Sequence, residues 1–122
     1  MSDEIRVQNT LTVVNGNLKV PQLGGSFSRD QSSAKGGNPG TITLANAVEE
    51  DIAFGDVTPG QVFISNMDDT ATVQYGPKSG GVLVPFGDLP AGESAQFKLH
   101  SGVTLRVLAN GACDIYVAGF AN

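Results

Sequence analysis

From Thr41 onward the chain alternates between short apolar runs and turn-forming clusters. The runs are TITL, DIAF, QVFIS, ATVQY, GVLVP, AQFKL, VTLRVL and CDIYVAGF. Between them lie TPG, NMDD, GPKSGG, LPAGE, HSG and ANGA. Strand-sized segments punctuated at this spacing predict an all-β fold of sandwich or barrel type. Within the runs, Ala71, Val73 and Tyr75 alternate with Thr72 and Gln74. Ala95, Phe97 and Leu99 alternate with Gln96 and Lys98, and Val103, Leu105 and Val107 with Thr104 and Arg106. Ile115 and Val117 share a face opposite Asp114 and Tyr116. A period of two belongs to antiparallel sheets with one buried face. The expected fold is therefore an antiparallel β-sandwich, jelly-roll-like in size, with the listed apolar positions turned inward.

Local signals refine this pattern. Thr58-Pro59-Gly60 suits a type II turn, and Ala109-Asn110-Gly111-Ala112 a type I′ hairpin between the last two strands. No segment carries a helical stripe; LANAVEED (44–51) is long enough for one helical turn. Upstream, TLTVVNGNLKV (10–20) reads as a β-hairpin with Asn15-Gly16 as a two-residue loop. That register places Val13 opposite Leu18 and Leu11 opposite Val20, and puts Leu11, Val13, Leu18 and Val20 on one face. Residues 24–40 are rich in Gly, Ser, Asn and Pro and read as a mobile or surface-hugging strap, able to span roughly 50–60 Å when extended. The expected organisation is an N-terminal hairpin arm and strap over 1–40 and a sandwich domain over 41–122.

The size of 122 residues suits one domain with a core of its own. Its 16 glycines and 6 prolines fit a turn-rich β chain. No apolar run reaches the length of a spanning helix, and MSDEIRVQN lacks the cationic and apolar regions of a secretory signal, so no membrane association and a cytoplasmic product are expected. The net charge is −5, and the seven basic residues are scattered singly, which argues against phosphate-backbone recognition of nucleic acid.

Candidate chemistry is sparse. The single histidine, His100, sits at a strand end with no nucleophile-elbow pattern, and one imidazole does not furnish the multi-histidine metal site of a cupin. The single cysteine, Cys113, lies in a strand-like run and reads as a packing residue. Glu49-Glu50-Asp51 and Asp68-Asp69 lack the spaced ladder of a calcium loop and read as solvated turn charge. SSAKGGNPG does not match a phosphate-binding loop, because Lys35 precedes its glycines. Phe27, alone in the strap, reads as a possible anchor to a neighbouring surface. No catalytic residue, metal ligand or cofactor site is expected, and a chain spent on strands, turns and an appendage reads as a structural or binding module instead of an enzyme.

The combination of TLTVVNGNLKV, a Gly/Ser strap, VPFGDLPAGESAQFKLHSGVTLRVLA (84–109) and the ending DIYVAGFAN resembles the head decoration (cement) proteins of tailed bacteriophages, of the trimeric, jelly-roll-like kind. The resemblance is one of style over the whole chain. It implies a virion protein on the capsid surface, made in the host cytoplasm, whose partners are the major capsid protein and two further copies of itself. On this reading the hairpin face of Leu11, Val13, Leu18 and Val20 is the partner-binding element. A tail, fibre or baseplate module is the nearest alternative, and a cupin-like small-molecule binder a more distant one.

Overall fold

A computed structural model describes residues 4–31 and 33–121. Ser32 of the expected strap, and residues 1–3 and 122 of the expected domains, lie outside the described residues. The chain forms two compact units, one up to Ser33 and one over Ala34–Ala121. The division thus falls seven residues earlier than expected, because 36–40 belong to a strand.

The first unit is a two-stranded antiparallel ribbon of β1 (Ile5–Asn15) and β2 (Leu18–Arg29). Residues 24–29, expected in the strap, continue β2 and pair with β1 from Ile5 to Thr10. A hydrogen bond from the Gln31 backbone N–H to the side-chain Oε1 of Glu4 (2.9 Å) joins the two open ends of the ribbon.

Among the described residues the second unit contains nine strands in two sheets. The first sheet has the order β3 (Gly36–Leu44), β11 (Cys113–Ala121), β5 (Pro59–Asn66), β9 (Ser94–Lys98). The second runs β4 (Glu49–Asp51), β10 (Leu105–Ala109), β6 (Val73–Ser79), with β7 (Val82–Leu83) and β8 (Gly87–Leu89) taking successive stretches of the same free side of β6. Val84 N–H to Pro77 O (2.9 Å) and Phe86 N–H to Tyr75 O (2.9 Å) carry the pairing across the gap, so β7 and β8 act as one interrupted edge strand. The chain thus passes from sheet to sheet as two interlocked Greek keys, the strand order of a jelly roll. All pairings between named strands are antiparallel. The all-β sandwich expected from the pattern is what the chain adopts.

Alternation explains which side chains fill the space between the sheets. Val62, Ile64, Val73, Val107, Ile115 and Val117 are fully buried, with Leu44, Ile52, Phe54 and Leu105 around them. Tyr75, Ala95, Phe97 and Leu99 are half-buried against this core, on the expected face. Burial of each large aliphatic side chain contributes about 1.5–3 kcal/mol, which makes this interior the main source of stability.

Three local expectations are corrected. Pro59 and Gly60 open β5 instead of making a type II turn; Gly60 O accepts from Leu99 N–H (2.7 Å), so the pair is held in the sheet. The segment 44–51 makes no helical turn. Asn46 bridges Ala109, Ala47 N–H donates to Ala109 O (2.9 Å), and β4 follows directly. Finally, ANGA is not a hairpin, because β10 and β11 lie in different sheets. Asn110 bonds across to Thr72 instead, accepting from Thr72 N–H through Oδ1 (2.9 Å) and donating its own N–H to Thr72 O (3.1 Å).

Two polar clusters brace the jelly roll. Arg106 on β10 donates to Asp51 Oδ1 (2.7 Å), Glu49 Oε1 (2.8 Å) and Gly81 O (2.9 Å), while Lys78 pairs with Asp51 (3.1 Å). The Glu49 oxygen also accepts from Leu83 N–H (2.8 Å), so one cluster ties β4, β10, β6 and β7 together. Asn66 is only 1 % exposed. Its Nδ2 donates to Ala71 O (2.7 Å) and Leu89 O (2.9 Å), and its Oδ1 accepts from Asp68 N–H (3.0 Å).

Candidate functional site

The ribbon's geometry follows from its pairing. Asn15 sits opposite Leu18, so the tip is Gly16-Asn17, not Asn15-Gly16. Gly16 has φ +57° at the first central position and Asn17 has no positive φ, the signature of a II′ turn. Val13 then faces Val20 and Val14 faces Lys19. Relative to the expected register the partners shift by two residues. Because side chains alternate with a period of two, an even shift leaves the faces unchanged. Leu11, Val13, Leu18 and Val20 therefore do share one face.

That face is longer than the sequence suggested. Beyond Val20 the register slips, and Leu11 pairs with Leu23. Two residues, Pro21 and Gln22, stand opposite the single Thr12 in a bulge, where a proline's missing N–H interrupts no ladder. The slip restores parity, so Leu23, Phe27, Val7 and Ile5 join the four expected residues on one mainly apolar face, which Asn9, Asn15 and Arg29 share. Arg6, Gln8, Thr10, Thr12, Lys19, Ser26 and Ser28 occupy the opposite face, with Val14 the one apolar exception. The signal for the extension was present in the sequence as period-two spacing of Leu23, Gly25 and Phe27, but the glycines around it read as a strap.

Accessibility varies along the stripe. Ile5 and Val7 are buried. Towards the tip the side chains are open, with Leu11 at 58 %, Leu18 at 56 % and Leu23 at 48 % exposure, and Val13 and Val20 intermediate; near the open end Phe27, opposite Val7, is 43 % exposed. The Arg29 guanidinium stacks over the Phe27 ring at 5.1 Å, covering part of it and keeping a cation at the border of the stripe. Residues 5–29 hold three basic side chains, Arg6, Lys19 and Arg29, and no acidic one, so the acidic excess of the chain resides elsewhere.

A lone two-stranded ribbon is marginal in water, and an open apolar stripe favours association. Covering half-exposed side chains of this size returns roughly 1 kcal/mol apiece before the entropic cost of association. The stripe is thus the part of the ribbon that gains most from being covered, while the back face is mostly polar.

The remaining sequence candidates fall into structural surroundings. The Asp68 carboxylate accepts from Ala71 N–H (2.7 Å), Thr70 N–H (3.1 Å) and Thr70 Oγ1 (3.1 Å), and these bonds hold its pKa below the ordinary value. It closes a turn. Glu49 and Asp51 are likewise held low, first by hydrogen bonds from Arg106. Cys113 is buried in β11, and desolvation pushes its thiol pKa up, which disfavours the reactive thiolate. His100 is exposed after β9. Lys35 pairs with Asp56 (3.2 Å) on the surface. Among the described residues no three His, Cys, Asp or Glu side chains converge to hold a metal ion. No family model, curated protein or solved structure matches the chain.

Proposed function

We propose that this chain is a structural virion protein that decorates a phage capsid as a homotrimer and stabilises the shell by bridging neighbouring subunits. The observation that carries the reading is the open apolar stripe of the ribbon, an element whose exposed face calls for a partner surface. Capsid protein or a neighbouring copy would cover Leu11, Val13, Leu18, Leu23 and Phe27. The inward positions of the jelly roll are packed with aliphatic side chains, which favours a scaffold over a barrel that encloses a ligand. Binding to the assembled shell and not to free subunits would stabilise the shell by mass action.

The test is binding to purified expanded capsids. Leu11→Ser, Leu18→Ser and Leu23→Ser combined in the full chain should leave the jelly roll folded and weaken binding at least tenfold. Deleting residues 1–33 should abolish binding; a deletion to residue 40 would remove half of β3 and confuse loss of docking with loss of fold. Undiminished binding by the triple variant overturns the proposal. Labelled protein found on tails would replace it with the attachment-module reading.

A further inference from the structure

The end of the β6–β7 hairpin is held differently from the rest of the jelly roll. Pairing of β6 with β10 runs from Val73 to Pro77, and one further bond, Lys78 N–H to Thr104 O (3.0 Å), follows it. Beyond that point β6 pairs only with the two residues of β7, Lys78 opposite Leu83 and Ser79 opposite Val82. Gly80 and Gly81 between them have φ of +62° and +79°, the I′ form of a two-residue turn. So short a hairpin is marginal in water without other support. That support comes from charged side chains of other strands. Leu83 N–H donates to Glu49 Oε1 (2.8 Å), and Gly81 O accepts from Arg106 Nη1 (2.9 Å). Arg106 is in turn bonded to Glu49 and Asp51, and Lys78 to Asp51.

Two cations and two anions therefore balance at the hairpin end. β7 itself carries no charge. Among the described residues, Asp88 of β8 is the other charged side chain on this sheet face, in register with Gln74, Leu108 and Glu49, while Glu50 alternates to the opposite face. Acid acts on the anions alone. Hydrogen bonds from Arg106 are the first cause holding Glu49 and Asp51 below their ordinary 4.5 and 3.8, followed by Leu83 N–H for Glu49 and Lys78 for Asp51. Carboxyls lowered in this way keep their ties above the ordinary values and lose them as pH falls through the folded ones. A neutral carboxyl is a weaker acceptor, and its loss of charge leaves Arg106 and Lys78 without counter-charges. The aliphatic interior between the sheets has no such dependence.

We propose that the hairpin end, Lys78–Leu83, is an acid-released flap: protonation of Glu49 and Asp51 frees it from β4 and β10 and bares Leu83 while the two sheets stay folded. Leu83 is 8 % exposed, and its neighbours Val82 and Val84 are at 54 % and 46 %. Release therefore turns two separated apolar side chains into a continuous Val-Leu-Val run, a segment that favours association. The device lies wholly within the jelly roll and does not depend on the capsid reading.

The experiment is residue-resolved hydrogen exchange of the full chain from pH 7 to pH 3, corrected for the intrinsic pH dependence of exchange. Val84 is the main reporter, because its N–H bonds the main-chain Pro77 O (2.9 Å) and reads release of the flap, not loss of one carboxylate bond. Protection of Leu83 and Val84 should fall by about tenfold or more below about pH 4, while the amides of β5 and β11 keep theirs. Glu49→Gln combined with Asp51→Asn keeps the side-chain shapes and removes both charges. That variant should show at pH 7 the weak protection the wild type shows only in acid, with no further fall on acidification. Asp68→Asn, which removes a carboxylate outside the cluster, should leave the pH profile of Val84 as it is. The proposal is overturned if Val84 keeps its protection until β5 and β11 lose theirs. It is equally overturned if the double variant is protected like the wild type at pH 7, or if Asp68→Asn moves the Val84 profile as far as the double variant does.

Discussion

Asn66 shows how much one polar side chain can organise. It lies at the end of β5, where the sequence reads only as the start of a polar turn, yet it is buried and its amide is fully engaged with three separate backbone groups. Truncation would leave the carbonyls of Ala71 and Leu89 without this donor in a dry setting. Asn66→Ala should therefore destabilise the jelly roll by about 3 kcal/mol, measured by urea denaturation. The carboxylates act on a different axis. Glu49 and Asp51 have ordinary pKa values of 4.5 and 3.8, and hydrogen bonds from Arg106 lower both in the folded state; the backbone N–H groups of Ala71 and Thr70 lower Asp68. A depressed folded pKa means stability that is fully present above the unfolded value and disappears as pH falls through the folded one. The melting temperature should be level above about pH 5 and fall steeply below about pH 4, and Arg106→Gln should make that fall shallower. A fall of equal steepness in Arg106→Gln would show that the cluster contributes nothing to the acid limb.

At the scale of elements, the ribbon separates what pattern reveals from what it hides. Side-chain faces were legible because they depend only on parity, and the four expected hairpin residues share a face even though the partners nearest the turn shifted by two positions and Leu11 by three across the bulge. The full stripe was not legible, because Gly24, Gly25 and Pro21 are poor strand formers by composition. The structure uses them for geometry. Gly24 has φ +140°, and a Cβ there would overlap the Asn9 carbonyl oxygen. Gly24→Ala should cost the ribbon about 1–3 kcal/mol of local stability, seen as faster hydrogen exchange at Gln8–Leu11 with the jelly-roll amides unchanged. Exchange rising equally in both units would show that they do not behave separately. The connection at 109–112 was misread for the converse reason: Asn-Gly is a strong hairpin signal, but the core demands that Cys113 and Ile115 face Val73 and Val107 from the opposite sheet. Local turn chemistry yields there to long-range packing.

Across the whole molecule, apolar periodicity was enough to specify a β-sandwich, while strand order was not, since eight interchangeable runs admit many orders. What fixes the jelly roll is which runs are continuous on both faces. β11, with Val117, Ala118 and Gly119 buried in succession, can only be an interior strand, and it sits between β3 and β5. The two ends of the molecule's repertoire, a local ribbon and a non-local sandwich, also differ in when they can exist. A hairpin closed by a two-residue turn assembles in microseconds, as soon as its own residues are free. β3 has no neighbour in its sheet until β11, more than sixty residues downstream, has been synthesised. During translation the chain therefore exposes its apolar stripe while the body is still unformed. If the ribbon docks as proposed, a partner or another nascent copy on the same polysome would meet the stripe before the jelly roll has formed.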